Sequence, residues 1–305
     1  LDDQKHKVIS VTYVAPDGEI VEQPADLIIL SSYTFSNTRL LLLSGIGKPY
    51  DPITNKGVVG RNYAYQTGAR VTMFFDDKCF NPFMGGGALT TSIDDFNGDN
   101  FDHSGLGFIG GGYLAAQSNG ATPIRSIHLP QGTPRWGGAW KKSVASNYQQ
   151  SFSIHVHGGC QSYRDNYLDL DPNYKDTLGL PLLRMTFDWH NNEKTMIQFL
   201  LKQAEKIAQQ IYPRLMNTHS LSAKYSIVPY QSTHNVGGVI AGNNPSTSVV
   251  NKYLQAWDAS NLFIVGASAF PQNSANPPTL TVGALACWVA DAIKDQYLKN
   301  PGQLI

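Results

Sequence analysis

The chain has 305 residues, 42% hydrophobic and 15% charged, and its 23 basic and 23 acidic side chains cancel to a formal net charge of zero. That content can fill the core of one large or two medium domains, and the lack of a basic excess or stripe argues against a nucleic-acid partner. Cys79, Cys160 and Cys287 are odd in number and far apart, which gives neither a disulfide framework nor zinc spacing. No run of about eighteen apolar residues is present to span a membrane. The chain begins on Leu1 rather than Met, so more polypeptide is expected ahead of it. Fifteen Tyr, thirteen Phe and five Trp suit an aromatic-lined pocket or a sheet core.

Lys7 to Ala15 is rich in β-branched residues, Pro16-Asp17-Gly18 is a turn, and Glu19 to Gln23 returns, which predicts a hairpin. Asp26 to Leu30 is a short apolar run, expected as a strand buried on both faces. Ser36 to Ser44 reads as a helix stopped by Gly45. From about 68 to 225, strand-like runs (Ala69 to Phe75, Ser151 to Val156, Asn166 to Leu170, Leu182 to Phe187) alternate with Gly/Asn/Asp/Pro loops. They predict a mainly antiparallel sheet with helices on one side. Asn81 to Gly87 and Phe108 to Gly112 are glycine-rich, and read as lids or as mobile surface loops. Asn192 to Leu215 is the strongest helix, with Met196, Phe199, Leu200, Ala204, Ile207 and Ile211 at helical spacing.

The tail returns to short apolar segments. Ser226 to Pro229 is extended, Gly242 to Pro245 is a turn, and Leu262 to Val265 reads as a buried strand ending in Gly266, Ala267 and Ser268. Pro277 and Pro278 open a helix from Thr279 to about Leu298. It is apolar all round as far as Ala290, so it is expected to be deeply buried, with Cys287 an inert thiol inside it. A strand ending in glycine and leading to a helix N-terminus makes a cradle for an anionic or electron-rich ring. His155, His157 and His190 have no carboxylate or thiol at ligand spacing, so no metal is expected. Asp169, Asp171 and Asp176 resemble a calcium loop only loosely and fit a strand-ending turn.

Two side chains stand out for chemistry. A histidine such as His234 can accept a hydroxyl proton near neutral pH. An amide such as Asn276 can hold an oxygen on which charge develops, although Asn is also a favoured helix N-cap. Asn261 to Ala286, with His234 and its Gly237-Gly238 about forty residues before Asn276, resembles the C-terminal signature of the glucose–methanol–choline (GMC) flavoprotein oxidoreductases. Within that family it is most similar to the gluconate, sorbitol and FAD-dependent glucose dehydrogenase branch. Gly57 to Gln66 resembles the family's GxNLxDH segment, with Tyr63, Tyr65 and Gln66 in place of the leucine and the Asp-His pair. Ser31 to Thr34 stands where the family has an Ala/Gly-rich turn, so no phosphate contact is carried over to it.

The resemblance implies an α/β plus α+β fold. Residues 1–67 and 226–305 would be parts of an FAD-binding, Rossmann-like domain, and 68–225 a substrate-binding domain. No GxGxxG follows a strand, so the dinucleotide unit is expected in a preceding half of the protein or in a companion chain. It further implies FAD-dependent oxidation of a sugar or polyol hydroxyl, with His234 as general base and Asn276 as its catalytic partner. Gly266 and Ala267 would flank the ribityl–phosphate chain, and Asn276, Pro277 and Thr279 the pyrimidine edge of the flavin. Asn235 and His157 would touch substrate. Implied partners are a small subunit and a cytochrome electron acceptor at the periplasmic membrane, and these residues alone are expected to be inactive. Two other classes fit some features. A carbohydrate-binding module would use the aromatic content, and a serine hydrolase would use Ser268 in Gly266 to Phe270, though the second glycine of its elbow is missing and Pro271 blocks the helix.

Overall fold

The computed structural model describes residues 1–2, 6–81, 91–117, 129–221, 224–227 and 233–304. The elements run β1 (Ser10–Val14), β2 (Ile20–Pro24), β3 (Ile28–Leu30), α1 (Thr34–Ser44), β4 (Ala64–Tyr65), β5 (Thr67–Phe74), β6 (Thr91–Ile93), β7 (Gly112–Gln117), α2 (Gly137–Asn147), β8 (Ser151–Gly158), β9 (Tyr167–Lys175), β10 (Pro181–Thr186), α3 (Asn191–Gln209), β11 (Leu215–His219), β12 (Asn235–Val236), β13 (Leu262–Ile264) and α4 (Thr279–Ala292). A π turn at Ile293–Tyr297 follows α4.

The middle of the chain forms a five-stranded sheet in the order β11-β5-β8-β7-β6, antiparallel throughout. Alternate residues of its strands (Ala69, Val71, Met73 and Val156 among them) point to one face. There they meet Met196, Ile197, Leu200, Leu201 and Ala204 of α3. A helix at 3.6 residues per turn presents that set as one stripe, and each fully buried Leu or Ile contributes about 2 kcal/mol. The helix ends at Gln209 rather than Leu215. Pro213 explains the shortfall: it lacks an N–H and disfavours helical backbone in the residue before it. Tyr212 accordingly turns to φ 49, Ile211 is exposed, and the residues beyond become edge strand β11.

The glycine-rich run Phe108 to Gly112 is anchored at both ends. Phe108 is buried beside Phe101 and Phe199, and the Gly112 N–H donates to the Phe96 carbonyl at 2.9 Å. The other run, Asn81 to Gly87, lies outside the described residues after Asn81. The acidic trio forms no calcium loop: Asp169 pairs with Arg184, Asp176 with Arg39, and Asp171 accepts from the N–H groups of Asn173 and Tyr174.

The terminal segments meet elsewhere. β3 pairs in parallel with β13, far along the chain, and α1 ends at Gly45 in the left-handed conformation. Leu41, Val59, Leu254, Phe263 and Ile264 form the core here, with Val289 and Tyr297 from the C-terminal helix. Two expectations of burial fail in this region. Ile29 on β3 is 54% exposed, and of the 14 residues of α4 only Val289 and Ala292 are fully buried. Leu280 is 89% exposed, Trp288 53%, and Cys287 is exposed. The apolar sequence of α4 is real, but among the described residues nothing covers most of its surface.

Candidate functional site

The site is assembled where the two-stranded β12–β4 sheet meets the five-stranded sheet. β12 pairs with β4, Asn235 opposite Tyr65, on an aromatic cluster of Tyr63, Tyr65, Phe187 and Trp189. One residue separates β4 from β5, and that residue is Gln66. Two residues further on, Gly68 pairs with His157 of β8. Stepping outward from Asn235 therefore brings His234 over Gln66 and toward His157. The imidazoles of His157 and His234 have centroids 6.4 Å apart. His157 also stacks against Tyr113, with centroids 5.0 Å apart and ring planes nearly parallel.

His234 has φ 63, a left-handed backbone that non-glycine residues seldom adopt. Two contacts hold it there: Asn273 donates from Nδ2 to the His234 carbonyl at 2.8 Å, and Gln66 meets its Nδ1. The following Gly237 is obligatory, because a Cβ on it would lie 2.0 Å from the Asn62 carbonyl. Burial pushes the His234 ring below the usual histidine pKa. Burial, helped by the neighbouring His234, takes His157 down to about 4. Both rings are thus neutral near pH 7, the form in which imidazole accepts a proton.

Asn276 is distant in sequence but attached to the same place. The strap leading to it is fixed at three points: Asn273 on His234, the Cys160 N–H on the Asn273 carbonyl at 3.3 Å, and Gln66 on the Ala275 carbonyl. Asn276 itself is exposed and does not cap α4; the cap position is Pro278, with no side-chain hydrogen bond. Pro277 and Thr279 are exposed beside it, and the first-turn N–H groups of a helix lack internal partners. Gly266, at φ 127 just past β13, and Ala267 are half-buried, and a Cβ on Gly266 would meet only Asn37 Nδ2 at 3.9 Å.

Asn235 is buried, Tyr63 donates to its Oδ1 at 2.5 Å, and its Nδ2 donates to Tyr33 Oη at 2.6 Å. Its amide braces β12 through these two tyrosines. Ser268 is also fully buried and accepts from Asn37 at 2.9 Å, where an incoming ester could not reach it. Among the described residues no cluster of three or more His, Cys, Asp or Glu could hold a metal. A cavity of about 360 Å³ lined by Lys48, Lys56, Trp257 and Asp258 contains none of the predicted site residues.

The sequence reading missed Gln66, Asn273 and Tyr113. The available signal for Gln66 was its position where the resembled motif ends; Asn273 and Tyr113 carry none. A buried carboxylate was missed as well. Glu193, in the first turn of α3, accepts from Tyr163 Oη at 2.8 Å and from the Gln161 N–H at 3.1 Å, fixing the loop whose Ser162 donates to the Pro271 carbonyl.

Residues 162–286 match the family model of the GMC oxidoreductases. The whole chain is 49% identical over 308 residues to the gluconate 2-dehydrogenase flavoprotein of Pantoea cypripedii, covering 100% of this chain and 50% of that protein. It is 25% identical to the fructose dehydrogenase large subunit of Gluconobacter japonicus, with 95% and 51% covered. Among solved structures, a formate oxidase of Aspergillus oryzae superposes with TM-score 0.61 at 17% identity, over 98% of this chain and 59% of that one, a likeness in fold. The chain spans about half the length of the curated relatives it matches. It belongs to the GMC oxidoreductases, an FAD-dependent family, and corresponds to the C-terminal half of its members.

Proposed function

We propose that this chain supplies the acid–base residues and one wall of the flavin site in a dehydrogenase that oxidises a sugar or polyol hydroxyl. The observation that carries the reading is the Gln66 bridge. One buried side chain touches both the His234 ring and the Ala275 carbonyl, so folding brings the histidine against the strap that ends in Asn276. In this reading His234 takes the hydroxyl proton, a role that contributes on the order of 10²–10⁴ in rate. The exposed carboxamide of Asn276 holds the same oxygen as charge develops on it. His157, neutral and stacked on Tyr113, lines the substrate side.

The residues fit one face of FAD. Gly266 leaves open space at the end of β13, and the uncapped start of α4, where Pro277 and Pro278 carry no N–H and the first free N–H groups belong to Thr279 and Leu280, offers donors and a positive dipole end. Bound FAD would accept the hydride from the alcohol carbon. Residues 1–67 and 226–305 go with the flavin domain, and 68–225 with the substrate domain. The preceding half of the protein, or a companion chain, carries the dinucleotide unit and covers the apolar surface of α4. A small subunit, a cytochrome acceptor and attachment at the periplasmic membrane complete the assembly.

The test uses the full-length flavoprotein. Adding a sugar or polyol substrate should bleach the flavin absorbance. His234→Ala should slow that bleaching at least about tenfold while FAD stays bound. Unchanged reduction kinetics in this variant would remove His234 from the chemistry.

A further inference from the structure

Gln66 is buried at 6% exposure, and its amide faces two partners of unequal kind. One is the Ala275 carbonyl, which can only accept a hydrogen bond. The amide NH₂ must therefore point there. Its Oε1 is then turned to His234 Nδ1, as observed. An amide oxygen also can only accept, so a neutral His234 ring must carry its proton on Nδ1. This logic follows from donor and acceptor capacity and does not depend on seeing a hydrogen.

We propose that Gln66 is a positioning residue that locks His234 as the Nδ1–H tautomer, leaving Nε2 as the lone pair for proton abstraction, and that couples this ring to the strap before α4. The assignment rests on the reading of His234 as the base. It goes further by stating which nitrogen works and what selects it. The fold suits this role. Gln66 occupies the single-residue junction between β4 and β5, pinned by a strand ladder on each side, so its backbone has little freedom. A second clamp, Asn273 on the His234 carbonyl, fixes the backbone from which the ring hangs. The loss of Gln66 would free the ring to change tautomer and rotate without unseating the strap, which Asn273 and Cys160 still hold.

The experiment uses the full-length flavoprotein with its histidines labelled with ¹⁵N. The expected result is an Nδ1–H, bare-Nε2 signature for His234, identified by its loss in His234→Ala. Gln66→Leu should abolish that signature and lower kcat about tenfold or more, with KM changed far less and the bound-flavin spectrum kept. Gln66→Glu places a carboxylate against Nδ1–H, so the acid limb of the flavin-reduction pH profile should move to higher pH. The other titratable ring facing His234 is His157, and a His157→Asn background keeps its titration out of that limb. An Nε2–H signature in the wild-type protein would overturn the proposal. So would a Gln66→Leu enzyme with wild-type kcat and pH profile. A Gln66→Leu protein that fails to hold FAD leaves the decision to Gln66→Glu, whose unmoved acid limb would also refute it. If instead the Nδ1–H tautomer is found but His234→Ala reduces its flavin at the wild-type rate, the reading of the base fails while the tautomer assignment stands.

Discussion

Helices α3 and α4 are both rich in apolar residues, yet the chain treats them in opposite ways. In α3 the apolar side chains form one stripe, and Met196, Ile197, Leu200, Leu201, Ala204 and Ala208 are all buried on the five-stranded sheet. In α4 they are spread around the helix, only Val289 and Ala292 are buried, and Leu280, Cys287 and Trp288 face outward. A stripe needs one neighbour, and the sheet provides it. A helix apolar all round needs neighbours on every side. The same contrast separates the sheets. Among the described residues the antiparallel sheet has five strands, with α3 across one face. The parallel pair β3–β13 has only two strands among the described residues, although parallel strands are ordinarily covered on both faces. Among the described residues the sheet region covers its helix, whereas the region of α4 leaves its helix largely uncovered.

This contrast is sharpest in stability. Leu200→Ala removes a fully buried side chain from the α3 core, and should cost about 2–5 kcal/mol in a denaturant titration of either the 305-residue chain or the full-length protein. A loss under about 1 kcal/mol would show that the α3 core is loosely packed. The pH dependence should belong to the same region. His157 is held down to about 4 in the folded chain, against an ordinary value near 6.5. As pH falls below about 6.5 the unfolded chain binds a proton there that the folded chain refuses. Stability is therefore full above that pH, and about 3 kcal/mol of it should drain away between pH 6.5 and 4. His157→Asn should flatten that part of the profile, and an unaltered slope would place the acid sensitivity elsewhere.

The sheet region was largely legible because its signals are local. Strand-like runs between turn-rich loops marked β5 and β8, and the spacing from Met196 to Ala204 marked the face of α3. Beyond Gln209 the same apolar spacing misled, since Pro213 overrules it. Helix α2 was not seen, as its Gly137-Gly138 start and mixed face carry no period. In the proposed site, His234 and Asn276 stood out in the sequence through the residues around them, and Gln66 did not. Its importance lies in two contacts from distant parts of the chain, the His234 ring and the Ala275 carbonyl. The surroundings of Asn235 were hidden for a related reason: its partners Tyr33 and Tyr63 lie far from it in sequence. The burial of α4 was overestimated because hydrophobicity states what a surface requires, and says nothing of whether this stretch of chain supplies it.

The smallest effects bear on what covers α4. Leu280→Ala in the 305-residue chain should change stability by less than about 0.5 kcal/mol, because the side chain already stands in solvent. The same substitution in the full-length protein should cost more, since a partner surface would then lose apolar contact. Cys287 reports on this surface without any substitution. Its thiol is exposed here, whereas Cys160 is buried with its thiol pKa pushed up by that burial. A maleimide reagent should label Cys287 readily in the short chain and Cys160 hardly at all. In the full-length protein Cys287 should become slow as well, because thiolate reagents need access. Equal labelling of Cys287 in both proteins would mean that this side of α4 stays open in the complete molecule, and the uncovered half of the comparison would need another explanation.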